Sequence, residues 1–78
     1  MYTDAMRVAF RSVRAPKNFS IELLEAEHFL TIRLDERKFS GMLDSEKREA
    51  IEYVYRVKAA LEDNGAVVLV VRKALGDK

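Results

Sequence analysis

The sequence predicts a small α+β domain: a three- or four-stranded antiparallel or mixed sheet packed by one long helix at about 45–63. Three observations carry this expectation. The run Ala66-Val67-Val68-Leu69-Val70-Val71 is apolar without interruption, the pattern of a strand covered on both faces. Residues 45–63 repeat apolar side chains at spacings of three and four, as an amphipathic helix does. Leu30, Ile32 and Leu34 alternate with Thr31 and Arg33, the period of a half-buried strand.

The N-terminal segment 4–14 fits two templates. As a helix it starts at Thr3 or Asp4, carries Met6, Ala9, Phe10 and Val13 on one stripe and ends before Pro16, which disfavours a helical residue in front of it. As a strand it places Met6, Val8 and Phe10 on one face, but the alternation fails at Ser12 and Val13. The helical template fits better, so the order is αββαβ, with βββαβ as the alternative. Ala15-Pro16-Lys17-Asn18 is a loop in either case.

Residues 19–34 read as a hairpin turning near Glu25 to Glu27, and Asp35-Glu36-Arg37-Lys38 as a charged connector. Phe39 and Met42 are apolar anchors around Gly41, and Asp44 or Ser45 is the expected cap of the long helix. Its core stripe is Ala50, Tyr53, Val54, Val57, Ala60 and Leu61, widened by Ile51. Asn64-Gly65 ends it, Gly65 taking the left-handed position. The strand 66–72 follows and should lie inside the sheet beside strand 29–34, and 74–78 reads as a frayed tail.

The 78 residues are expected to form a single domain, 1–78. A chain this short buries only about 60–65% of the surface its unfolded form exposes, so its margin of stability is thin. With no cysteine and one histidine, disulfides are excluded and neither a structural zinc nor any other cofactor is expected. No apolar run approaches a membrane span, and no secretory signal pattern is present, so a soluble cytoplasmic protein without membrane partners is expected. The net charge of +1 hides a split: residues 1–18 carry +3 and residues 19–36 carry −4.

Three sets of side chains are candidate sites. On a helix Arg7, Arg11 and Arg14 share one face with Lys17 just beyond, a small stripe for nucleic-acid contact. The adjacent acids would repel a phosphate backbone, and a solvated basic face pairing with them is the favoured reading. Glu22, Glu25, Glu27 and His28 read as a charged hairpin tip, because Glu25 and Glu27 project to one side of a strand and His28 to the other. No Gly-rich phosphate loop or nucleophile elbow is present, and catalysis is not expected. Tyr55, beside Ile51 and away from the centre of the helix stripe, is a candidate interface residue together with Val68 and Val70.

Phe39-Ser40-Gly41-Met42, the helix after it with basic residues near its start, and the apolar strand that follows resemble the second half of BolA-like proteins. The resemblance implies a helix–strand–strand–helix–strand order, which the second type of KH domain would also suit. The histidine that BolA-like proteins carry after the helix has no counterpart in Ala66 to Val71, and the KH Gly-x-x-Gly loop is absent. No functional residue is carried over.

The function expected is that of a non-catalytic interaction module, a homodimer whose second copy covers the apolar sheet face. A nucleic-acid-binding accessory protein using the basic N-terminal face is the alternative. The chain's size suits a phage or bacterial accessory protein.

Overall fold

The computed structural model describes residues 2–73; the tail expected at 74–78 lies outside the described residues. The elements are α1 (Asp4–Ser12), β1 (Ile21–Glu25), β2 (Leu30–Asp35), α2 (Glu36–Ser40), α3 (Asp44–Asp63) and β3 (Val68–Lys73). The N-terminal segment is therefore a helix. The Thr3 side chain caps it by accepting from the Met6 N–H at 3.2 Å, which satisfies one of the amides a helix start leaves without a partner.

The sheet has the order β1-β2-β3. β1 and β2 are antiparallel, with Leu23 opposite Ile32, and β2 and β3 are parallel, with Ile32 opposite Val70. A parallel pair needs a long crossover, and here α2 and α3 supply it. This corrects one expectation: β3 does lie beside β2, but it is an edge strand and β2 is the interior one.

Both long helices cover the same face. Leu30, Ile32 and Leu34 point into one core with Met6 of α1, Phe39 of α2, and Ala50, Tyr53, Val54, Val57 and Leu61 of α3. The stripe read from the sequence is thus the buried one, with Ala60 half-buried at its margin and Ile51 left exposed. The loop before β1 is held to α3 by Phe19, whose ring meets Tyr53 edge-on at 6.2 Å between centroids. Asn18 takes a left-handed φ of 62° there, a conformation asparagine tolerates better than most residues.

Two further details differ from the sequence reading. The segment 36–40, expected as connector, is a short helix whose cap is Asp35, accepting from the Arg37 N–H at 3.0 Å. α3 is capped from Leu43 instead of Asp44 or Ser45: the Glu46 carboxylate reaches back to accept from the Leu43 N–H at 2.9 Å. At its other end Gly65 has φ 93°, as expected of the left-handed residue after a helix.

Candidate interaction surface

Because α1, α2 and α3 all sit on the Leu30–Ile32–Leu34 face, no layer formed by the described residues lies on the opposite face of the sheet. Its side chains follow from the register. Leu24, Thr31 and Leu69 form one cross-strand row and Glu22, Arg33 and Val71 the next. Val67 and Phe29 lie at the end where β2 and β3 begin. Arg33 donates to the Glu22 carboxylate through Nε at 2.9 Å and Nη2 at 2.6 Å, which makes the middle of this face polar. The side along β3 is apolar: Val67 is 60% exposed, Leu69 49% and Val71 38%.

The other side of the same strand is also apolar at the surface. Val70 and Leu34 of the sheet and Ile51, Val54 and Tyr55 of α3 line a shallow hollow of about 120 Å³, with Arg72 at its rim. Ile51 is 43% exposed and Tyr55 59%. Of the four candidate interface residues, the fold therefore brings Ile51, Tyr55 and Val70 together. The Val68 side chain is in the core at 5% exposure, so only its backbone reaches the surface.

The backbone of β3 completes the arrangement. The Leu30 N–H donates to the Val67 carbonyl at 2.8 Å, and Leu30 is in register with Val68. In a parallel ladder this assigns the polar groups of Val67, Leu69 and Val71 to β2. Those of Val68, Val70 and Arg72 face outward, along an edge with no strand beside it among the described residues. Edge strands are commonly blunted by charge, proline or a bulge, yet residues 67–71 contain neither a charged residue nor proline.

One end of this edge is fixed by a fork: Arg72 donates to the two Glu36 carboxylate oxygens at 2.7 and 2.8 Å. The fork holds the Glu36 carboxyl below its ordinary range and raises Arg72. The same guanidinium lies 4.7 Å from the centroid of the Phe39 ring, a cation–π distance. α2 and the end of β3 are thereby tied together.

The basic residues are placed less coherently. Arg7 and Arg11 are exposed on α1, Arg7 with Asp4 at 3.9 Å. Arg14 falls beyond the helix, because Val13 is already extended, so the stripe of three arginines does not form. Arg14 and Lys17 line a separate groove of about 390 Å³, where Arg56 is joined by Glu49, Glu52 and Tyr53. Nor do the acids of 19–36 meet these arginines: Glu22 pairs with Arg33, Glu36 with Arg72, and Glu25 accepts from the Tyr2 N–H at 3.0 Å. That bond holds the Glu25 carboxyl below its ordinary range, while burial pushes the Tyr53 phenol up.

At the hairpin tip His28 and Glu27 approach to 3.6 Å, both well exposed. Among the described residues no three histidine, cysteine or carboxylate side chains converge in a way that could hold a metal ion. No described helix is long and apolar enough to cross a membrane.

The signal for the surface along β3 was present in the sequence as a strand apolar on both faces. What could not be read there is that no second helix would cover it. No family model, curated protein or solved structure matches this chain, so the likeness to BolA-like proteins stays one of element order.

Proposed function

We propose that this protein is a non-catalytic interaction module that works as a homodimer. The observation that carries the reading is the exposed apolar surface on both sides of β3: Val67, Leu69 and Val71 on one, Ile51, Tyr55 and Val70 on the other. Isolated exposed apolar side chains are ordinary, but a contiguous group of them marks an interaction surface. Among the described residues no third layer is left to place there, since both α1 and α3 are committed to the opposite face.

Self-association also suits the energetics. A domain of this size has a thin margin, and binding a second copy adds stability by mass action. The nucleic-acid reading has less support, because Arg14 and Lys17 share their groove with Glu49 and Glu52. Those carboxylates oppose the phosphate contacts the cations would make.

The test is the solution mass by light scattering over a dilution series at low and moderate salt. A mass near twice 9.0 kDa is expected and should persist at moderate salt, because apolar burial is not screened as surface ion pairs are. A mass of one chain at every concentration would contradict the reading.

A further inference from the structure

We infer that the second copy adds to the free edge of β3, antiparallel to it across a two-fold axis at Val70, to give one continuous six-stranded sheet. This deepens the self-association proposed above and rests on it. Three features of the molecule select this geometry over a face-to-face sandwich of the two open sheet faces.

The first is the backbone. The groups of Val68, Val70 and Arg72 point away from β2 and have no strand to pair with. An antiparallel partner centred on Val70 sets Val70 against Val70 and Val68 against Arg72. Both are pairs in which the two residues exchange N–H to carbonyl bonds. The outward groups of the two copies thus satisfy one another, and the open edge is closed on both.

The second is the distribution of apolar surface. A sandwich of sheet faces would cover Val67, Leu69 and Val71 but leave Ile51, Tyr55 and the hollow beside Val70 exposed. It would also bring two Glu22–Arg33 pairs against each other. Edge pairing sets Leu69 of each copy beside Val71 of the other on the open face and brings the group on the α3 side against its own counterpart. Val70 and Tyr55 line the same hollow, so an axis at Val70 brings the two α3 helices side by side along their Ile51–Tyr55 faces.

Third comes charge. β3 carries Arg72 near its end, forked to Glu36, whereas α3 ends in Asp63 just before the 64–67 turn that leads into the strand, Glu62 being paired with Lys58. That last turn contains no basic residue, and a helix C-terminus carries partial negative charge of its own. Antiparallel pairing sets the Arg72 end of each strand beside the α3 C-terminus of the other copy. A two-fold makes this contact twice and closes the assembly.

The experiment compares wild type with Val70→Pro, Leu24→Lys and Tyr55→Glu by light scattering, with circular dichroism to check folding. Proline at 70 removes only an outward N–H, and an edge strand tolerates it on that side. Lysine at 24 stands on the open face of β1, which lies on the far side of β2 from β3. Expected is a dimeric wild type, a dimeric Leu24→Lys, and folded monomers for Val70→Pro and Tyr55→Glu. Should Val70→Pro fail to fold, the exposed Tyr55→Glu decides. A dimer that survives both Val70→Pro and Tyr55→Glu, or that Leu24→Lys dissociates, overturns edge pairing while leaving self-association standing. A monomeric wild type overturns both.

Discussion

Leu61→Ala is expected to destabilise the domain by about 3 kcal/mol, within the range of about 2–5 kcal/mol for truncating a buried leucine to alanine. Leu61 has no exposure, so the lost methyl groups leave a cavity that no neighbouring loop can fill. Its place magnifies the consequence. The Leu61 carbonyl accepts from both the Asn64 and the Ala66 N–H, at 3.0 and 3.1 Å, so this residue is where α3 hands the chain to β3. Against a total stability of about 4–12 kcal/mol for a chain of this length, the variant should unfold at a much lower urea concentration. Val8→Ala, at a position 66% exposed, should stay within about 0.5 kcal/mol of wild type. Similar urea midpoints for the two variants would show that the core assigned here is wrong.

The second large effect belongs to Phe39. α2 spans five residues, far too few for a helix to persist by its own hydrogen bonds. Its hold on the domain is the burial of Phe39 at 5% exposure and the Glu36–Arg72 fork. Phe39→Ala removes the buried ring, at a cost of about 3–5 kcal/mol. The Arg72 guanidinium and the Lys47 ammonium, 4.7 and 5.9 Å from the ring centroid, lose their contact in the same step. Phe39→Leu keeps most of the apolar volume and gives up the ring, so it should cost less, about 1–2 kcal/mol. Chemical denaturation of the three proteins should rank them wild type, then leucine, then alanine. Equal midpoints for Phe39→Ala and wild type would mean that α2 is a passive connector.

These two residues also mark where the sequence was legible and where it was not. The stripe holding Leu61 could be read because a long helix repeats its buried positions several times, and five of the six expected positions are fully buried. The alternation of Leu30, Ile32 and Leu34 was equally clear, as was Gly65 after the helix. α2 was missed because its sequence is one anchor behind three charged residues. Five residues give no periodicity to detect, and the one local signal is Asp35 before Glu-Arg-Lys, a residue type that starts helices.

The position of β3 is the more instructive difference. Its unbroken apolar run pointed to an interior strand, and the fold makes it an edge. The pattern records that both faces of the strand are apolar. It does not record whether the cover comes from the same chain, because hydrophobicity carries no partner identity. The basic stripe failed for a local reason: helical spacing joined Arg7, Arg11 and Arg14 only if the helix ran past Val13, and the backbone turns extended there. Tyr55 could be read because it departs from the core stripe of α3, beside Ile51, which was expected to widen that stripe and is exposed instead. Their convergence with Val70 depended on which strand α3 would cover, which no local pattern contains.

The central claim, that a second copy occupies the edge of β3, is tested most directly by amide hydrogen exchange resolved along this strand at high and low protein concentration. At high concentration the amides of Val68, Leu69, Val70, Val71 and Arg72 should all be protected. On dilution Val68, Val70 and Arg72 should lose protection while Leu69 and Val71, bonded to β2, retain it. Free exchange of Val68, Val70 and Arg72 at every concentration, with Leu69 and Val71 protected throughout, would contradict the account.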